Sequence, residues 1–214
     1  MNLSFHHHQN IRGVQSKTIE ISCYICSDLP HVTFFSVHHL YQSILDLIHI
    51  ENFALKAKYC RKNQKGGVSI FIQNNLQFTT INRNSYSIDK DIEVCALQLN
   101  SSLLNICVLV IYRSWIGKFK SFWTQLDMIP QSLCIPKLNP VICCDINVNY
   151  LNDKKNQLDA LLNSYNLFST TDFPTRIYND SSSAIINIFI DITRINNCEV
   201  FPLINRLLIM TRKS

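Results

Sequence analysis

Glycine is scarce in this chain. There are four in 214 residues, where an ordinary sequence carries about 7%, so turns that need a positive φ must mostly be made by other residues. Charge is thin as well. Charged side chains make up 16% of the sequence and hydrophobic ones 47%, which excludes a disordered or solvating chain. No apolar run approaches the ~18 residues of a membrane span. The first ten residues have no apolar core of the kind a secretory signal needs. These absences predict an intracellular protein without a transmembrane segment. No repeat, low-complexity linker or composition break divides the chain, so its length reads as one domain with ample core.

Cysteine, by contrast, is plentiful. There are nine, an odd number, and Cys95, Cys107, Cys143 and Cys144 sit inside apolar runs, which predicts buried free thiols in a reducing compartment. Cys23-x-x-Cys26 lacks a second such pair or a ligand-spaced histidine pair, so it argues only weakly for zinc. His6-His7-His8 reads as a strand-edge run rather than a metal site. The net charge is +5 with pI near 8.7, a mild basic bias that suits a polyanionic partner without specifying one.

Periodicity predicts a mixed order of elements. Residues 3–12 read as a short first strand, and Ser16-Lys17-Thr18 as the cap of a helix running to Cys26. A β-branched and aromatic strand follows from His31 to Val37, then helical spacing from Tyr41 to Ile48. Strands at 53–59 and 68–73 flank a basic turn, Arg61 to Gly67, where Gly66 and Gly67 supply hairpin freedom. Two more strands are expected at 91–99 and 103–113. Phe119, Phe122, Trp123 and Leu126 mark a helix over 118–134, ending near Pro130. After a strand at 141–146, Leu158, Leu161, Leu162 and Tyr165 make a second helical stripe, and a last clear strand runs over 184–192. Hairpins alternating with helices predict an α/β or α+β architecture with sheets packed under helices.

One stretch concentrates polar chemistry. The uncharged run Val141–Cys144 ends in Asp145, with Asn147 two residues on. Alternation along an extended chain puts these two side chains on the same side at the rim of a sheet. The competing reading is an Asx-rich turn that ends a strand.

Five fragments occur in a telling order: His8-Gln-Asn-Ile-Arg12, Tyr59-Cys-Arg-Lys-Asn-Gln-Lys-Gly-Gly67, Ile111-Tyr-Arg-Ser114, Cys144-Asp-Ile-Asn147 and Pro174-Thr-Arg-Ile177. Together they resemble the endonuclease/exonuclease/phosphatase superfamily, specifically the endonuclease domain of non-LTR (LINE-like) retrotransposons, over nearly the whole chain. The resemblance implies a four-layer sandwich, two mixed β-sheets face to face with helices outside. It also implies a site at one end where Mg2+ and hydrogen-bonding side chains cleave a DNA phosphodiester, leaving a 3′-OH that primes reverse transcription. DNA is then the partner, a reverse transcriptase domain is expected downstream in an intact element, and a functional protein is expected in the nucleus. By the same resemblance, Asn10 belongs to the metal environment and Tyr112 contacts the phosphate. Asp145 orients and activates the attacking water, and Asn147 hydrogen-bonds the phosphate or its transition state. Arg61, Lys62, Lys65 and Arg113 are the expected nucleic-acid contacts, each alternatively part of a solvated face.

Three family positions are missing. Val37 of Ser36-Val37-His38-His39 stands where the family has a metal-ligating Glu, and Mg2+ wants oxygen ligands, usually including a carboxylate. Ile186 of Ser183-Ala-Ile-Ile186 stands where an Asp orients the catalytic His. The closing Ser-Asp-His motif that carries this His is absent. Residues 1–205 read as the domain and 206–214 as an out-of-family tail, leaving the last strand or loop incomplete. Leu208-Ile209-Met210-Thr211 is what TCT-GAT-CAT-GAC, one coding of Ser-Asp-His-Asp, yields when read one base out of frame, which predicts a frameshift near residue 206. Cys144, where the family usually has Gly, is expected to crowd Asp145. The resulting expectation is an impaired endonuclease. Its alternatives are a non-catalytic nucleic-acid-binding remnant, a relic without function, or a superfamily member acting on a phospholipid or inositol phosphate, against which the 59–67 and 145–149 contexts argue.

Overall fold

The computed structural model describes residues 4–8, 19, 21–23, 25, 30–63, 65–100, 105–133, 138–151, 155–178, 181–195, 198–203 and 207–212. Two sheets carry the fold. The first contains β1 (Ser4–His8), β2 (Val32–Ser36), β3 (Phe53–Tyr59), β4 (Val68–Gln73), β13 (Cys198–Leu203) and β14 (Leu207–Arg212), in the order β13-β14-β1-β2-β4-β3. The second contains β5 (Phe78–Ile81), β6 (Glu93–Asn100), β7 (Asn105–Tyr112), β8 (Asn139–Asp145), β9 (Phe168–Ser169) and β12 (Ile186–Ile190), in the order β5-β6-β7-β8-β12-β9. A small hairpin of β10 (Arg176–Tyr178) and β11 (Ser181–Ser183) stands apart.

Side-chain alternation builds the layers. In β4, Val68, Ile70 and Ile72 enter the core between the sheets, while Phe71 faces the other way onto Phe35, Leu45 and Ile25. In β7, Ile106, Val108, Val110 and Tyr112 point into the inter-sheet core, and Cys107, Leu109 and Ile111 point outward. A strand buried on both faces reads as an unbroken apolar run, as 106–111 does. The helices α1 (Gln42–Leu45), α2 (Phe119–Leu133) and α3 (Lys155–Asn163) cover the outer faces. From α2, Phe122, Leu126 and Ile129 lie one turn apart and cover Leu109, Ile111 and Ile142, with Leu158 and Leu162 of α3 beside them. Each such side chain stabilises the fold by about 1.5–3 kcal/mol on full burial. Three clusters separated by two sheets make four layers, helix–sheet–sheet–helix.

The strands 53–59 and 68–73 lie where periodicity put them. Residues 19, 21–23 and 25 are helical where described. Three local expectations need correction. β5 was hidden because Phe78-Thr-Thr-Ile81 is short and half solvated, with no apolar run to mark it. The helix α2 runs through Pro130 to Leu133, because a proline near a helix C-terminus removes one N–H bond without preventing the next residues from closing theirs. Finally, the chain is not extended past Asp145. The strand stops there, and Asn147 takes a left-handed conformation at φ 53°, one that asparagine tolerates better than most residues.

Residues 207–212, within the segment expected to be an out-of-family tail, run as β14, antiparallel to both β13 and β1. Cys95, Cys107, Cys143 and Cys144 are buried free thiols, and burial pushes the Cys107 pKa up to about 12. No helix among the described residues is long and apolar enough to cross a membrane.

Candidate functional site

One end of the second sheet gathers the polar side chains. Register places Glu93 of β6 opposite Tyr112 of β7, Tyr112 opposite Asp145 of β8, and Asp145 opposite Ile186 of β12. Four in-register residues on adjacent strands share one face about 4.8 Å apart, here the face toward the first sheet. Asp145 is 1% exposed and Tyr112 nearly as buried. Burial raises the Tyr112 hydroxyl pKa first and the nearby Asp145 carboxylate adds to it, while a hydrogen bond with the Ser114 side chain pulls the other way. The phenol therefore keeps its proton and is presented as a neutral hydrogen-bonding group.

Asn147 reaches the same neighbourhood by a different geometry from the one its spacing suggested. From its left-handed position its Nδ2 donates to the Arg113 carbonyl at 2.7 Å. The Arg113 N–H in turn donates to the Asp145 carbonyl at 2.9 Å. The Asp145 and Asn147 segment is thus tied to the loop that follows Tyr112.

Glu93 had no sequence signal beyond a lone charge opening an apolar strand, and it is the most sequestered carboxylate of the group, with no exposed surface. One oxygen accepts from Arg61 Nε and from the Lys90 N–H at 3.2 Å; the other accepts from the Gly67 N–H at 2.6 Å. Burial raises its pKa, opposed by Arg61 and by these backbone donors. Arg61 itself is nearly buried and lies 5.6 Å from the Tyr112 ring centre. A Cβ on Gly66 would run into that guanidinium, and one on Gly67 into the His38 ring. Both glycines also have positive φ, 143° and 91°, so two of the chain's four glycines are used to bring this hairpin against the site.

The other expected site residues divide sharply. Arg113 is buried, donating to the Ile146 carbonyl at 3.2 Å and the Gly117 carbonyl at 3.0 Å, with its guanidinium 4.6 Å from the Phe119 ring centre. Neither Arg61 nor Arg113 is presented to solvent, whereas Lys62 and Lys65 are exposed. Lys58 is paired with Asp46, and Lys56 lies over the Phe78 ring. Asn10 lies outside the described residues. Cys144 does not crowd Asp145. Alternation turns it to the opposite face, among the helix-side core, where its thiol donates to the Asn187 carbonyl at 3.5 Å.

Val37 sits at φ 60° and is buried. A β-branched residue in the left-handed region is a genuine outlier, costing on the order of 1–3 kcal/mol. The conformation is imposed by pairing: Val37 N–H donates to the Gly67 carbonyl at 2.8 Å and His39 N–H to the Gly66 carbonyl at 2.9 Å. Strain of this kind persists where the surroundings over-determine the backbone, and it clusters at functional sites. Here it falls at the position where the resemblance places a metal-ligating carboxylate. His38 beside it is fully buried; its Nδ1 accepts from the Leu40 N–H at 3.1 Å and its Nε2 donates to the Tyr59 carbonyl at 3.2 Å.

The described side chains do not by themselves make a Mg2+ site. A hard dication takes about six oxygens, generally including a carboxylate free to coordinate. Val37 offers none, both Glu93 oxygens are engaged, and no group of three or more His, Cys, Asp or Glu side chains among the described residues could hold a metal ion.

Comparison with solved structures then fixes the architecture. The endonuclease domain of TRAS1, a telomere-specific non-LTR retrotransposon, matches with a TM-score of 0.73 at 10% identity, covering 99% of each chain. The chain has the endonuclease/exonuclease/phosphatase fold. An AP endonuclease from Leishmania major matches this fold with a TM-score of 0.73 at 10% identity, covering 100% of this chain and 88% of that one. TDP2 of D. rerio, complexed with a single-strand DNA product, gives 0.70 at 10% identity, covering 100% and 99%. No family model matches the sequence, and no curated protein does. At identities near 10% the likeness is one of fold.

Proposed function

We propose that this chain binds nucleic-acid phosphodiesters at the Tyr112–Asp145 end of its second sheet, as an impaired form of a retrotransposon target-site endonuclease. The observation that carries the reading is the in-register Tyr112–Asp145 pair with Asn147 tied beside it, on a fold shared with a retrotransposon endonuclease and with a protein holding single-strand DNA product. In this reading the Tyr112 hydroxyl and the Asn147 side chain hydrogen-bond a phosphate oxygen. Asp145 orients a water for in-line attack. Lys62 and Lys65, exposed on the β3–β4 turn, steer the polyanion. DNA is the partner, and in an intact element a reverse transcriptase domain and a nuclear location go with it.

Hydrolysis is the part the residues support least. Val37 and Ile186 supply neither a metal oxygen nor an orienting carboxylate, and groups that act as one catalytic unit each cost about 10³-fold when lost, without adding. The test is incubation of the purified chain with supercoiled plasmid and Mg2+. The expected result is no nicking above the buffer control, alongside a salt-dependent mobility shift of DNA. Nicking that EDTA abolishes and that Asp145→Asn removes would overturn the impairment. Absence of any shift at low salt would end the binding reading and leave a relic without nucleic-acid function.

A further inference from the structure

The loop after Tyr112 displays an aromatic side chain far out of the core, and the turn that carries it is held from several sides. Trp115 is 78% exposed and Ile116 beside it 54%. They occupy the two central positions of a turn closed by Gly117 N–H donating to the Ser114 carbonyl at 2.9 Å. Ser114 N–H donates to the Lys90 carbonyl at 2.9 Å, Arg113 Nη2 to the Gly117 carbonyl at 3.0 Å, and Lys118 N–H to Asp91 Oδ1 at 2.7 Å. A Cβ on Gly117 would strike the Lys90 carbonyl, so even the close approach of the two loops is built in. Central turn positions ordinarily go to Gly, Pro, Asn, Asp or Ser. Among the described residues, neither Trp115 nor Ile116 belongs to a core cluster. Displaying them costs solvation and gains nothing for folding.

Charge chooses the occupant. Lys90, Lys118 and Lys120 are exposed around the turn. The acidic neighbours are turned to internal partners, Asp91 to the Lys118 N–H and Asp89 to the Tyr59 hydroxyl at 2.7 Å. An exposed aromatic with exposed lysines on the flanking segments suits a strand whose phosphates are tracked while a base stacks. Trp115 also lies three residues from Tyr112, so their Cα atoms are within about 11 Å of each other, and the same loop supplies the carbonyl that holds Asn147. We infer that the Ser114–Gly117 turn is a stacking platform, on which Trp115 takes an unpaired base of single-stranded nucleic acid whose phosphate lies toward Tyr112. The platform deepens the phosphodiester-binding reading and rests on it for the direction of the strand.

The experiment is anisotropy of a fluorescein-labelled oligothymidylate, and of a duplex of the same length, titrated with the full chain in EDTA. Trp115→Phe is expected to bind the single strand within about threefold of wild type, and Trp115→Ala about tenfold or more weaker, with little change for the duplex. Wild-type binding that Trp115→Ala leaves intact would overturn the platform while the phosphodiester reading stands. Loss in Trp115→Ala with no effect of Asn147→Ala would keep the platform and sink the phosphodiester reading. A shift of Trp115→Ala to a smaller species in gel filtration, with oligonucleotide affinity unchanged, would overturn the proposal in favour of a face between two copies of this chain.

Discussion

The Arg61 guanidinium is ion-paired to Glu93, a carboxylate with no solvent exposure, 32 residues away in the chain. Glu93 is out of water and the Arg61 side chain is nearly so, so the pair is a condition of folding rather than a docking charge. Removing one partner leaves a buried charge without compensation, at about 3–5 kcal/mol. Arg61→Ala is therefore expected to lower the urea midpoint steeply. Arg61→Met combined with Glu93→Gln should recover part of the loss, because no buried charge is left unpaired and the amide oxygen still accepts from the Gly67 N–H. A single Arg61→Ala variant as stable as wild type would show that the pair does not exist in solution.

The exposed lysines carry a different expectation. Lys62→Gln with Lys65→Gln should leave the urea midpoint unchanged. It should also flatten the dependence of log K on log salt for single-stranded nucleic acid by about 0.7 for each phosphate that the two lysines neutralise. An unchanged slope would remove the β3–β4 turn from the binding surface.

His38 makes stability depend on pH. Burial, chiefly, lowers its pKa to about 4, against an ordinary 6.5. Between these values the unfolded chain takes up a proton that the folded chain refuses, so stability falls as pH drops through that window and is fully present above it. The full difference amounts to about 3 kcal/mol. The melting temperature should fall between about pH 7.5 and pH 4.5, a span that covers most of the window. His38→Gln, which keeps a donor for the Tyr59 carbonyl, should show a smaller fall. Equal falls in the two proteins would assign the effect elsewhere.

Cys144→Gly restores the residue usual in the resembled family, yet it should not improve the site. The thiol faces the helix-side core and donates to the Asn187 carbonyl, so its removal creates a small cavity and loosens β8 with a glycine. A loss of about 1–2 kcal/mol in chemical denaturation is expected. Oligonucleotide affinity should be unaffected. Gained affinity would mean that Cys144 obstructs Asp145 after all.

What was legible in the sequence follows the range of the forces that write it. The strands at 53–59 and 68–73, the double-faced run at 106–111 and the stripe of α2 are set by neighbours within a few residues, because alternation and helical spacing are local. Short half-solvated strands such as β5 leave no such mark. The resemblance led to the right fold from five fragments because the residues at sheet ends and glycine turns are those that backbone geometry constrains most.

By itself, then, the sequence determined that a buried strand would deliver Asp145 at its end, that Tyr112 would lie near the end of another, and that Gly66 and Gly67 would give the turn between two strands its backbone freedom. Only the tertiary structure decided what the polar side chains would face. Arg61 and Arg113 are as basic as Lys62 and Lys65 in the sequence, but their partners, Glu93 and the Ile146 carbonyl, arrive from 32 and 33 residues away. Asn147 looked extended by spacing, yet it turns left-handed to donate to a carbonyl 34 residues back. Trp115 has no local sequence signal, and it is the turn beneath it that holds it out to solvent. Burial and hydrogen-bond partnership are properties of distant segments brought together, and no local pattern encodes them.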